Sequence, residues 1–135
     1  MRVETAFLEA RSALARASEG RETPRMLRVA TRAGARLARE RTPWSIPMSR
    51  LVDATVAHLE GRDERAAAHL TSALEAFEEA DMHLYAAVVR RRLAALIGGD
   101  RGRALRRDAE AWMIEQEIRN PAAMSRLVAP GLPEP

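Results

Sequence analysis

Residues 59–77 read LEGRDERAAAHLTSALEAF, a glycine turn, an alanine run and then apolar side chains at helical spacing. A second stretch, IGGDRGRALRRDAEAWM at residues 97–113, repeats the plan. Setting Gly61 against Gly99 puts Asp63 beside Arg101, Ala66 beside Ala104, Ala67 beside Leu105 and Leu59 beside Ile97, a period of 38 residues; Gly20 lies 41 residues upstream of Gly61. In each copy a glycine ends one helix and a small residue follows where a second helix must cross closely. Such recurrence is the sequence signature of helical hairpins that bury their faces by stacking.

The rest of the chain fits that plan. Val3, Phe7, Ala10, Leu14 and Ala17 form one apolar stripe, and Met26, Ala30, Ala33 and Leu37 a second, entered through Thr23 as cap and Pro24 at the first helical position. The 42–47 segment, Thr42-Pro43-Trp44-Ser45-Ile46-Pro47, contains two prolines and reads as a connector whose Trp44 and Ile46 seek burial. A third helix runs from Met48 to Glu60, a fourth carries Leu70 and Phe77, a fifth Tyr85, Val89, Leu93 and Leu96, and a sixth Leu105, Ala109, Trp112 and Met113. Asn120-Pro121 opens a short last helix that Pro130-Gly131 stops. No segment alternates with period two, so the fold class is all-α. The expected architecture is a right-handed tetratricopeptide-like solenoid of about six helices plus a capping helix. Its one domain spans 1–130, with pairs at 1–41, 48–80 and 82–118, the cap at 121–128 and a disordered tail at 131–135. The expected core is Phe7, Leu14, Leu37, Trp44, Leu51, Leu59, Leu70, Phe77, Tyr85, Val89, Leu93, Leu96, Leu105 and Trp112.

Composition excludes several chemistries. The 135 residues include 27 Ala and 22 Arg but no Lys and no Cys. Phosphate-loop and kinase lysines, Schiff bases, thiol nucleophiles, disulfides and Cys-ligated zinc are therefore all absent, and no cofactor motif is visible. The high pI, about 10.7, reflects missing lysine and cysteine around a net charge of only +3. That charge is uneven: residues 1–41 carry ten Arg against five Glu, 42–100 six Arg against nine acids, and 101–135 six against five. Glu4 and Glu9 interrupt any signal-like run near Met1, and no stretch is apolar enough to span a membrane, so the expected location is the cytoplasm.

From residue 40 onward a more particular likeness emerges. It is carried by Trp44 with Pro47, Phe77 through Ala80-Asp81-Met82, Arg90 to Leu93, Gly98-Gly99, Ala111-Trp112-Met113, Asn120-Pro121 and Pro130-Gly131. In that order these residues resemble the C-terminal helical-repeat region of large bacterial Ser/Thr protein kinases, where a kinase domain and an ATPase-like segment precede degenerate tetratricopeptide repeats. The resemblance covers about ninety residues. It implies an interaction or regulatory module and transfers no catalytic residue.

The clearest local signal is Arg25, Arg28, Arg32, Arg36 and Arg39, whose spacings of three, four, four and three line one side of the second helix. They read either as a docking strip for an acidic partner, phosphate groups or RNA, or as a solvated face paired with Glu22, Glu40 and the acidic middle. Arg90, Arg91 and Arg92, with Arg101, Arg103, Arg106 and Arg107, point around the helix rather than to one side; pairing of some with Glu75, Glu78, Glu79 and Asp81 is expected. His58, His69 and His83 lack metal-ligand spacing, and no carboxylate pair or serine sits in a catalytic pattern. Trp112, Met113, Tyr85 and Phe77 read as packing rather than a ligand pocket.

The functional expectation is a non-catalytic adaptor that holds a protein or peptide partner; the alternative is Arg-dependent RNA or DNA binding. Helix one lacks a capping device, so exposure of Val3, Phe7 or Leu8 would make it a self-association face.

Overall fold

The computed structural model describes residues 3–135, the Val3 side chain excepted. Over that span seven α-helices form and no strand does: α1 Val3–Ser18, α2 Thr23–Glu40, α3 Ser45–Leu59, α4 Asp63–Glu79, α5 His83–Ile97, α6 Gly99–Glu115 and α7 Pro121–Val128. Each of α1 to α6 packs on its neighbour in sequence, α1 also meets α3, and α5 meets α7.

Four helix ends close the same way. Gly20, Gly61, Asp81 and Glu117 adopt positive φ, and the next residue's N–H bonds back to the carbonyl five residues earlier: Arg21 to Arg16 at 3.1 Å, Arg62 to Ala57 at 2.8 Å, Met82 to Phe77 at 2.9 Å and Ile118 to Met113 at 2.9 Å. This left-handed termination satisfies carbonyls the helix leaves open. Only two of the four positions are glycine, which is why sequence punctuation looks irregular.

The structure moves two expected boundaries. Residue Glu22, at φ 47°, caps α2 in place of Thr23, whose hydroxyl donates to the Ala17 carbonyl at 3.4 Å. Helix α3 begins at Ser45 rather than Met48, because Pro47 falls in the first turn, where its missing N–H has no intrahelical role. Thr42 and Ser45 bond reciprocally at that entry, at 2.8 and 3.1 Å. The expected Asn120 cap is present, its side chain accepting from the Ala123 N–H at 3.0 Å.

Burial exposes the repeat more clearly than sequence does. Met26, Ala30, Ala33 and Leu37 of α2 are buried, and so are Ala66, Leu70, Ala73 and Phe77 of α4, 40 residues on. In α6 the buried set is Gly102, Ala109 and Met113, 36 residues beyond Ala66, Ala73 and Phe77. The 38-residue period holds between the first helices of the second and third pairs, since α3 starts at Ser45 and α5 at His83. It contracts in the second helices because residues 60–62 join α3 to α4 whereas Gly98 alone joins α5 to α6. Ala66 therefore corresponds to Gly102, not to Ala104.

Of the expected core, Phe7, Leu14, Leu37, Leu51, Leu70, Phe77, Val89 and Leu93 are buried. Leu59, Tyr85, Leu96, Leu105 and Trp112 are partly buried against it. Phe77 stacks on Tyr85 at 5.2 Å, and Phe7 meets Tyr85 edge-on at 6.1 Å, so one aromatic group ties α1 to α4 and α5. Trp44 is a correction: it is 46% exposed, because the turn preceding α3 directs Ser45, Pro47 and Met48 inward instead. Residues 131–135 are a second correction. Instead of a disordered tail, Leu132 is buried, Gly131 lies against Thr55 and Leu14, and Glu134 pairs with two arginines.

Candidate functional site

The arginine stripe of α2 divides in two. Arg25 pairs with Glu22 at 3.3 Å and Arg36 with Glu9 of α1 at 3.2 Å, while the exposed Arg39 donates to the Ala35 carbonyl at 3.4 Å. Arg28 and Arg32 are exposed and hold no ion pair among the described residues. They line an open groove of about 540 Å³ between α2 and α3, whose other walls are Thr23, Pro24, Leu27, Thr31, Val56 and Glu60. Leu27, Thr31 and the two arginines share this side because residues three and four apart on a helix are surface neighbours. The groove thus combines an apolar floor, two free guanidiniums and a single carboxylate. Guanidiniums in such a setting make bidentate bonds to carboxylates, and their stems extend the apolar surface.

The second basic set is dispersed. Arg90 pairs with Glu78 as expected, Arg103 with Asp100 and Arg106 with Glu110 at 2.9 Å. Arg91 and Arg92 are buried, at 3% and 1% exposed. From α5 they face residues 125–134. Arg92 donates to the carbonyls of Ser125, Ala129, Leu132 and Pro133 at 3.1, 2.7, 2.8 and 2.9 Å, and to the Glu134 carboxylate at 2.8 Å. Arg91 donates to the Ser125 hydroxyl at 2.9 Å and to the carboxylates of Glu110 and Glu134, both at 3.1 Å. Burial pulls the Arg92 guanidinium below its ordinary pKa, and Glu134 works against that shift. Sequence gave little warning of this clamp. Its one signal is three consecutive arginines on a helix, which forces at least one toward the packed side.

The remaining candidates do not converge. His58 bonds to Asp63 at 2.7 Å; His83 lies 3.8 Å from Asp81 and beside the Trp112 ring. Burial raises the Asp53 carboxyl, and the charge of His69 partly offsets that rise. Among the described residues no cluster of three metal-ligating side chains forms, and no helix is long and apolar enough to cross a membrane. Phe77 and Met113 are fully buried packing residues. Of the three candidate self-association residues, Phe7 is buried, Leu8 is 53% exposed and the Val3 side chain lies outside the described residues. Compared with known proteins, the chain matches no family model, no curated protein and no solved structure.

Proposed function

We propose that this chain is a non-catalytic interaction module: three helix pairs stacked as a right-handed, tetratricopeptide-like solenoid that holds an acidic segment of a partner protein in the α2–α3 groove. The observation that carries this reading is the groove itself, where an apolar floor of Pro24, Leu27 and Val56 lies beside Arg28 and Arg32, two guanidiniums with no ion pair of their own. The solenoid reading is supported by the buried register that recurs from α2 to α4 to α6.

Protein suits the groove better than nucleic acid. No aromatic side chain lines it for base stacking, and its apolar floor of Pro24, Leu27 and Val56 suits the apolar side chains of a peptide rather than a phosphate track. The ordered motifs from Trp44 to Gly131 that resemble the C-terminal region of bacterial kinases favour the same role. We assign the module to the bacterial cytoplasm as a regulatory partner of a kinase and ATPase system.

The test is fluorescence anisotropy with a labelled Glu- and Leu-rich peptide. The unmodified chain should bind it with affinity that falls as salt rises. Arg28→Glu with Arg32→Glu should weaken binding by about tenfold or more, about 1.4 kcal/mol or above, whereas Arg39→Glu should change little. Tighter binding to an oligonucleotide of equal charge would overturn the reading in favour of nucleic acid.

A further inference from the structure

The Arg91–Arg92 clamp has the chemistry of a peptide-binding site. Its bonds to residues 125–134 run to four main-chain carbonyls and to only two side chains, Ser125 and Glu134. Two of these carbonyls, of Ser125 and Ala129, belong to the C-terminal end of α7 and two to the turn beyond it, so the clamp holds a short helix with its following turn and uses one hydroxyl and one carboxylate, nine residues apart, to set its register. The segment lies against the first helix of each pair. Val128 and Ala129 line one small cavity with Leu14 of α1 and Thr55 of α3, Gly131 lies against Thr55 and Leu14, and Arg92 of α5 holds the stretch from Ser125 to Glu134.

Two features separate this arrangement from a simple structural cap. First, it buries adjacent guanidiniums, although apolar side chains of similar volume commonly stabilise a fold as well or better than buried ion pairs do. Second, the occupant fits incompletely. The Arg92 Nε is buried without an acceptor, an opening of about 530 Å³ remains beside residues 130–134, and Leu127 is 62% exposed. A segment with one further acceptor would satisfy the clamp more fully.

We propose that the face formed by α1, α3 and α5 is a second peptide-binding site, held in cis by residues 121–135, and that its ligand is a segment of a partner protein that folds as a short helix ending in a turn, with a hydroxyl on the helix and a carboxylate nine residues further on, which displaces them. It uses none of the residues of the α2–α3 groove and stands independently of that site.

The probe is a fluorescein-labelled synthetic peptide of sequence PAAMSRLVAPGLPEP, matching residues 121–135, titrated against the full chain. A tethered occupant competes at high effective concentration, so the unmodified chain should bind weakly. Glu134→Gln in the protein loosens the cis segment and should tighten peptide binding by about tenfold. A peptide whose own glutamate is replaced by glutamine should lose that gain on the same variant, a comparison that needs no second protein variant to fold. Arg92→Met added to Glu134→Gln should also remove it. Equal affinity for the unmodified and Glu134→Gln chains, or equal affinity for the two peptides, would overturn the proposal.

Discussion

Gly102 and Gly34 both stand inside helices where a neighbour passes close, yet replacing each by alanine should give different results: a clear loss for the first and almost no change for the second. A Cβ on Gly102 would fall 2.7 Å from the Ala94 carbonyl oxygen and 3.6 and 3.7 Å from that residue's carbonyl carbon and Cα. These are backbone atoms of α5, joined to α6 through the single residue Gly98, so the two helices must part along their contact. Overpacking costs about 1–3 kcal/mol, and about 2–3 kcal/mol where, as here, the blocking atoms are backbone and cannot swing aside, while alanine's better helix propensity returns about 1 kcal/mol. The net loss should be about 1–2 kcal/mol. On Gly34 the nearest atom is Val52 Cγ1 at 3.1 Å, the end of a side chain that needs to give only slightly, so strain and propensity nearly cancel. Thermal unfolding followed by circular dichroism checks both: Tm should fall by about 3–8 °C for Gly102→Ala and stay close to the unmodified value for Gly34→Ala. Urea midpoints should order the same way without a change in slope. A Gly102→Ala chain at least as stable as the unmodified one would refute the close α5–α6 crossing.

Glu117 holds a left-handed conformation at φ 62°, which an L-residue with a Cβ occupies at about 1–2 kcal/mol. Glu117→Gly should therefore raise urea stability by about 0.5–1 kcal/mol once the freer unfolded chain is counted. Burial raises the Asp53 carboxyl above its ordinary 3.8, so the folded chain binds more protons than the unfolded one, and this residue's contribution to stability falls as pH rises from 3.8 through the raised value. Asp53→Asn should accordingly raise Tm at pH 7, with the advantage shrinking as pH falls through the raised value and gone below pH 3.8. Trp44→Ala should lose under about 1 kcal/mol because the ring is largely exposed, and Trp112→Ala less than the ~3–5 kcal/mol of a fully buried aromatic; equal, large losses in melts of the two variants would contradict the burial described.

Helix content and order were legible because apolar spacing is a local property. Phe77, Leu70, Val89 and Leu93 follow directly from it, as does the Asn120 cap of α7. The turn chemistry was half legible. Gly20 and Gly61 advertise their left-handed ends, while Asp81 and Glu117 take the same conformation under tertiary constraint and leave no glycine to read. Trp44 misled because a large ring after proline suggests burial, yet the entry to α3 is settled by Thr42, Ser45 and Pro47. The Arg28–Arg32 part of the stripe was visible, but its separation from Arg36 depends on Glu9, 27 residues away. The clamp was hidden for a similar reason. An arginine reads as surface until four carbonyls and a carboxylate, 33 to 42 residues distant, converge on it.

Residue-resolved NMR during titration with the Glu- and Leu-rich peptide addresses the proposed role most directly. Amide shifts should concentrate at residues 23–32 of α2, at Val56 of α3 and at Glu60 just after it, and should disappear in the Arg28→Glu, Arg32→Glu chain. Shifts scattered over every arginine-bearing surface, or a response unchanged by that double substitution, would contradict a built acidic-segment site in the α2–α3 groove.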